Sequence, residues 1–97
     1  MAVIEITTFR LRPDVEPASF LALDTRFQQE CVPTHRGFQR RTTARGDDGT
    51  WVVMTLWATE EDLEASAAAL AGDDVAQALA RAMDGQHIER RRYRTLD

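Results

Sequence analysis

The sequence has little of what marks secreted or membrane proteins. Cys31 is its only cysteine, so no disulfide can form within the chain, and we expect a reducing, cytoplasmic environment. No apolar run approaches the roughly 20 residues that a membrane-spanning helix needs. Residues 1–6 lack the basic region and the cleavage site of a signal peptide. We therefore expect one cytoplasmic domain, residues 1–97, that does not contact a membrane.

Motifs of familiar catalytic chemistry are also scarce. The sequence has no Gly-rich phosphate loop, no Cys-x-x-Cys pair, no Ser/His/Asp arrangement and no paired-carboxylate motif. The two histidines, His35 and His87, lie far apart with no acid at ligand spacing, so we expect no metal site. The 12 basic residues, all arginine, are outnumbered by 16 acids. The net charge of −4 argues against nucleic acid or an anionic membrane as a general partner.

Residues 50–63 are the most informative stretch. β-Branched and aromatic residues dominate residues 50–57, and both faces are largely apolar, which predicts an inner strand that is covered on both sides. Thr59 is a good N-cap residue, and the three acids after it suit the positive end of a helix dipole. Trp57 therefore lies at the end of a central strand, immediately before a helix, where residues often line a ligand cavity.

The remaining elements complete a β-α-β-β-α-β order. Alternation of side chains predicts three more strands, and spacings of three and four predict two helical regions. Gly72 is expected to break the second helical region, and Asp84-Gly85 to end it. The strands are residues 2–12, 38–45, 50–57 and 86–95, and the helical regions are residues 17–32 and 59–83. This is the α+β, ferredoxin-like topology with a four-stranded antiparallel sheet.

Side-chain periodicity also predicts which residues share a face. In the first helix, Asp24 is expected to lie largely away from the apolar stripe, and Cys31 to be a small core residue. On the last strand, His87 and Tyr93 are expected to share a face. Helices can cover only one face of the sheet, so an apolar second face needs another partner. We therefore expect a homodimer built on the face that carries Ile4, Ile6, Val52 and Met54, or on the opposite one.

Four features along the chain resemble one known group of proteins. They are a first strand that runs into a Pro turn and an aromatic-bearing helix (residues 9–20), the passage His35-Arg36-Gly37-Phe38, the junction of residues 57–63 (Trp, any residue, Thr, then acids), and an amphipathic last strand. Together they resemble the dimeric α+β barrel superfamily, in particular the antibiotic biosynthesis monooxygenase (ABM) type. The resemblance covers nearly the whole chain.

The resemblance implies two subunits that pack their sheets face to face into a barrel, with a pocket between sheet and helices in each subunit. It also implies a monooxygenase that needs no bound cofactor, in which an aromatic substrate is deprotonated and its carbanion passes an electron to oxygen. The haem-degrading branch carries an Asn near the position of Thr7 and a His on its last helix. Residues 74–83 contain no His, which argues against haem turnover.

The predicted site residues are Trp57, His87, Thr7 and Tyr93. Trp57 would pack against the substrate, and Thr7, His87 or Tyr93 would hold or relay a proton. The alternatives are structural: Trp57 could be core and His87 could be solvated. By residue type His35 is the one other candidate for a general base, but we expect it to be a solvated loop residue.

Two other functions stay open. The scarcity of catalytic residues fits a dimeric module that binds a small ligand without transforming it. The arginine cluster (Arg40, Arg41, residues 90–92 and Arg94) could bind an anion. Cross-strand pairing of these arginines with Glu5 and Glu89 is the interpretation that we favour.

Overall fold

The computed structural model describes all 97 residues and has the predicted order of elements. The elements are β1 (Val3–Leu11), α1 (Pro17–Arg26), β2 (Phe38–Arg45), β3 (Trp51–Trp57), α2 (Glu60–Leu70), α3 (Asp74–Ala82) and β4 (Met83–Arg94). The strands pair antiparallel in the order β2-β3-β1-β4, which confirms the α+β, ferredoxin-like prediction. β3 is an inner strand, as predicted.

No helix is both long enough and apolar enough to cross a membrane.

The helices cover one face of the sheet, and the core lies between them and that face. Phe9 and Trp51 are directly paired on β1 and β3, and both pack against Phe20 of α1 at ring-centroid distances of 5.6 and 5.2 Å. Aromatic rings at these distances stabilise the contact beyond the area that they bury. The opposite face has no buried residue; its apolar side chains are all partly exposed (Ile4, Ile6, Val52, Met54 and Leu56).

Side-chain caps fix the start of both helices that follow β3. The Thr59 hydroxyl accepts from the backbone N–H of Asp62 at 3.1 Å, which confirms it as the N-cap of α2. Asp73 likewise accepts from the backbone N–H of Ala76 at 2.8 Å and caps α3. These bonds satisfy backbone donors that have no partner within the helix.

The last helix ends within one residue of the prediction, but the predicted start of the last strand at residue 86 was wrong. α3 stops at Ala82, and β4 begins at Met83, so Asp84 and Gly85 lie inside the strand. Phe9 pairs with Ile88 but Leu11 pairs with Met83, so β4 bulges between these pairs. Asp84 stabilises the bulge, because its carboxylate accepts from the backbone N–H of Gln86 at 3.0 Å. The turn residues therefore form an irregularity within a strand and not a loop.

The first helical region also differs from the prediction. α1 ends at Arg26 and continues as a π-helical turn (Phe27–Cys31), closed by a hydrogen bond from the Val32 N–H to the Phe27 carbonyl. This wider turn lets Phe27 and Val32, which are five residues apart, both enter the core. Asp24, expected to lie away from the core, is only 3% exposed. The prediction failed because spacing does not reveal a buried partner across the fold.

Candidate ligand cavity

A cavity of about 200 Å³ lies between the sheet and the helices. Its roof is apolar and comes mainly from α2, α3 and the π-helical turn (Phe27, Leu63, Ala67, Leu70, Leu79 and Met83). Its floor is the helix-facing side of the sheet. A concave, mostly apolar space with a few polar groups is the usual form of a small-molecule site.

The floor of the cavity is polar along one row of the sheet. Strand register places Thr55 of β3 directly between Glu5 of β1 and Arg41 of β2, and all three line the cavity. The Thr55 Oγ1 atom is buried and has no hydrogen-bond partner. Leaving such an atom unpaired costs about 1–3 kcal/mol. A ligand that hydrogen-bonds at this point of the floor would remove that cost.

Arg41 is held in place by a buried carboxylate. Its Nη1 atom lies 2.5 Å from Asp24 Oδ1, and both side chains are 5% exposed. The other Asp24 oxygen accepts from the Thr43 hydroxyl at 2.8 Å and from the Gln28 amide at 3.0 Å. The Arg41 guanidinium also lies 4.8 Å from the centre of the Phe27 ring. These contacts make Arg41 a fixed part of the cavity wall.

The arginines of β4 divide into paired and unpaired residues. Arg92 donates to Glu5 at 3.1 Å and also to Glu64. The pKa of its guanidinium is raised, chiefly by the hydrogen bond to Glu64 and then by that to Glu5. The pair of Arg92 with Glu5 is the cross-strand pairing that the sequence favoured. Arg91 pairs with Glu89 within β4 itself. Arg90 lines the cavity and forms no ion pair.

The structure places the four predicted site residues in two separate regions. Trp57 and Thr7 both line the cavity and are 4% and 8% exposed. The Trp57 ring is fixed by an edge-on contact with Phe38 at 5.4 Å. Tyr93 pairs with Ile4 on the opposite face of the sheet and is 47% exposed. His87 lies exposed in the bulge of β4, with its Nδ1 atom 2.9 Å from Asp84 Oδ2.

The sequence prediction missed a pair of polar residues at the roof. His35 is half-buried, and its Nδ1 atom lies 2.7 Å from the Ser66 Oγ atom. Ser66 is 4% exposed and lines the cavity. The expectation that His35 is a solvated loop residue was therefore wrong. A signal existed, because Ser66 follows Leu63 and precedes Leu70 at helical spacings of three and four, which puts all three on one face of α2.

Cys31 is half-buried against the core and is not an activated thiol. Its Sγ atom lies 3.7 Å from Asp73 Oδ1. Burial first, and then the negative charge of Asp73, raise the pKa of the Cys31 thiol. Elsewhere, no group of three or more His, Cys, Asp or Glu side chains is arranged to hold a metal ion.

Comparison with known proteins identifies the fold. No protein-family model matches the chain, and no curated protein sequence matches it. Solved structures do match. SnoaB from Streptomyces nogalater, described as a cofactor-independent oxygenase, superposes with a TM-score of 0.76 at 20% identity over 99% of this chain and 94% of its own.

Two further solved structures superpose on this chain with similar TM-scores. A candidate ABM protein of Bordetella bronchiseptica gives a TM-score of 0.79 at 12% identity, over 98% of this chain and 97% of its own. One of Nitrosomonas europaea gives 0.77 at 18% identity, over 98% and 90%. The chain therefore has the fold of the ABM structures, as the sequence resemblance predicted.

Proposed function

We propose that the chain is a cofactor-independent monooxygenase of the ABM type that acts on a small aromatic molecule. The observation that supports this proposal is the cavity, in which an apolar roof faces a floor that carries Trp57 and a buried polar atom without a partner, Thr55 Oγ1. An aromatic ring suits the roof, and a hydroxyl substituent suits Thr55, because a threonine hydroxyl can both donate and accept. The fold likeness to SnoaB supports the same class of reaction.

The cavity volume limits the size of the ligand. A cavity of roughly 150 Å³ can hold benzene, so a cavity of about 200 Å³ suits one substituted ring. A tricyclic molecule would have to extend through the mouth of the cavity or displace the helices. Arg90, which has no carboxylate partner, would favour an anionic substituent on the part of the ligand that lies beside it.

The proposed reaction uses the chemistry of the substrate itself. Loss of a proton gives a carbanion or phenolate, which passes one electron to O₂, and recombination at carbon forms a peroxide that loses water to give the quinone. The apolar roof would keep water from the anion. Thr7 would hold a hydrogen bond to the ligand, and Trp57 would pack against its ring. We assign no proton role to Tyr93 or His87, because both lie outside the cavity.

We also propose that the protein is a homodimer formed through the open face of the sheet. That face carries a row of partly exposed apolar residues that no helix covers (Ile4, Ile6, Val52, Met54 and Leu56). Light scattering at micromolar concentration should give the mass of a dimer. Met54→Glu should give a monomer, since it puts a charge in the centre of the interface. A monomeric mass for the wild-type chain would contradict the proposal.

The test of activity is oxygen uptake by the metal-free protein with hydroquinone, a naphthohydroquinone and anthrone. We expect uptake that favours the smaller substrates and that is lost in Trp57→Ala. Tyr93→Phe is the matched control, because it alters an aromatic residue on the opposite face, and its uptake should equal that of the wild type. Loss of uptake in Tyr93→Phe with retention in Trp57→Ala would show that the cavity is not the site.

A non-catalytic ligand-binding module is the second candidate. The observation that favours it is that both charged groups at the centre of the floor, Glu5 and Arg41, are already paired with residues of the protein. Quenching of Trp57 fluorescence by the same aromatic compounds, with no oxygen uptake by the wild type, would support this function over the enzyme.

A further inference from the structure

His35 and Ser66 connect the cavity to a second, shallow pocket on the outside of α2. Ser66 lines both spaces, and His35 lines only the outer one. The outer pocket also contains Arg36 and Asp62, which lie 3.8 Å apart and carry the charges that face the imidazole. Ser66 is the one residue that lines both spaces, and the contact of its Oγ atom with Nδ1 links His35 to the cavity.

The loop that carries His35 is held firmly. The His35 N–H donates to the Val32 carbonyl at 3.0 Å, and the His35 carbonyl accepts from the Phe38 N–H at 3.2 Å. Gly37, with a φ of 80°, makes the turn, and its carbonyl accepts from the Ala58 N–H at 2.8 Å. The imidazole is therefore positioned by the backbone on both sides.

The other polar residues of the cavity are poor bases. Glu5, the one carboxylate that lines the cavity, is paired with Arg92 at 3.1 Å. Its carboxylate already accepts a hydrogen bond from that arginine, so it is not free to face a substrate proton. The hydroxyls of threonine are not basic at neutral pH. An imidazole that reaches the cavity through one hydroxyl is the remaining group suited to general-base chemistry.

We propose that Ser66 and His35 form a proton relay between the cavity and solvent. The proposal rests on the proposed function, since it supplies the deprotonation that starts the reaction. With the imidazole proton on Nε2, Nδ1 accepts the hydrogen bond from Ser66. As the substrate proton moves to Oγ, the hydroxyl proton moves to Nδ1, which leaves a substrate anion, a neutral serine and an imidazolium. The Nε2 proton then leaves through the outer pocket. The reverse transfer, from Nδ1 through Oγ to the peroxide anion or back to the substrate anion, with uptake of a solvent proton at Nε2, restores the starting tautomer.

Deprotonation can be measured without oxygen. Under anaerobic conditions in D₂O, proton NMR follows exchange of the ring C–H of phloroglucinol and of the methylene protons of anthrone. We expect the wild type to accelerate exchange and Ser66→Ala or His35→Ala to slow it by on the order of 100-fold. Added imidazole should partly restore exchange in His35→Ala but not in Ser66→Ala. Thr34→Ala, an exposed neighbour in the same loop, should exchange like the wild type.

The outcomes separate the relay from the monooxygenase and from a purely structural contact. Exchange by the wild type without oxygen uptake supports the relay and contradicts the monooxygenase. Oxygen uptake that is unaffected in both variants overturns the relay and leaves the monooxygenase in place. The variants could also lose thermal stability while the folded protein exchanges normally and imidazole has no effect. That result would mean that the bond between Ser66 and His35 only fastens the loop to α2. No exchange by the wild type also overturns the relay.

Discussion

Removing Asp24 should cost this protein much of its stability, because it strands a buried positive charge. In Asp24→Ala, the Arg41 guanidinium stays 5% exposed and loses its ion pair. Thr43 and Gln28 lose their acceptor at the same time. Breaking one side of a buried ion pair costs about 3–5 kcal/mol. A small domain has only about 5–15 kcal/mol in total, so the loss should be large.

Urea unfolding measures this prediction directly, at one fixed protein concentration because the proposed dimer would unfold in a concentration-dependent way. The free energy of unfolding falls with urea concentration by about 1.5–2 kcal/mol/M, so the unfolding midpoint of Asp24→Ala should lie roughly 2 M below that of the wild type. Asp47→Ala is the control, since Asp47 is an exposed acid in the β2–β3 turn and should leave the midpoint unchanged.

A second variant tests the physical cause. In the double variant Asp24→Leu with Arg41→Met, both charges are gone and similar volumes remain, so most of the lost stability should return. A midpoint for Asp24→Ala within about 0.5 M of the wild type would refute the reasoning. It would mean that water or a rearranged side chain reaches Arg41 at little cost.

Three further predictions follow from local geometry. Gly37→Ala should destabilise the protein by about 1–3 kcal/mol, because φ of Gly37 is 80° and an added Cβ atom would collide with the Asp62 side chain. The control is Gly85→Ala, whose added Cβ atom meets no neighbour and should leave the stability nearly unchanged. Thermal unfolding of both variants tests the prediction. The rate of alkylation of Cys31 by iodoacetamide should rise only at a pH above the usual pKa of a thiol, because the pKa of Cys31 is raised. The neutral Cys31 thiol should stabilise the fold fully below the usual thiol pKa, and this stabilisation should decline as the pH rises towards the raised pKa. Asp73→Asn should shift the alkylation profile to lower pH while keeping the cap of α3, whereas Asp73→Ala should also cost about 1 kcal/mol of stability in urea. An unshifted profile in Asp73→Asn would show that Asp73 has no effect on the thiol.

The sequence predicted part of the candidate site. Trp57 was found because a strand-to-helix junction with a strong cap is a local pattern, and Thr7 was proposed near the position at which the resembled haem-degrading branch carries an Asn; both line the cavity. His87 and Tyr93 were proposed from residue chemistry alone. Their positions depend on the bulge of β4 and on which face of the sheet the helices cover, and neither is encoded in a short window.

The sequence by itself determined the order of elements, the inner position of β3 and the cap at Thr59. These follow from side-chain periodicity and from hydrogen bonds between near neighbours, which act over a few residues. Tertiary structure alone decided which polar groups meet: Asp24 with Arg41, and Ser66 with His35, which are 17 and 31 residues apart. Burial makes such contacts obligatory, since a polar group removed from water must find a partner. The packing of helices on the sheet determines which partner that is.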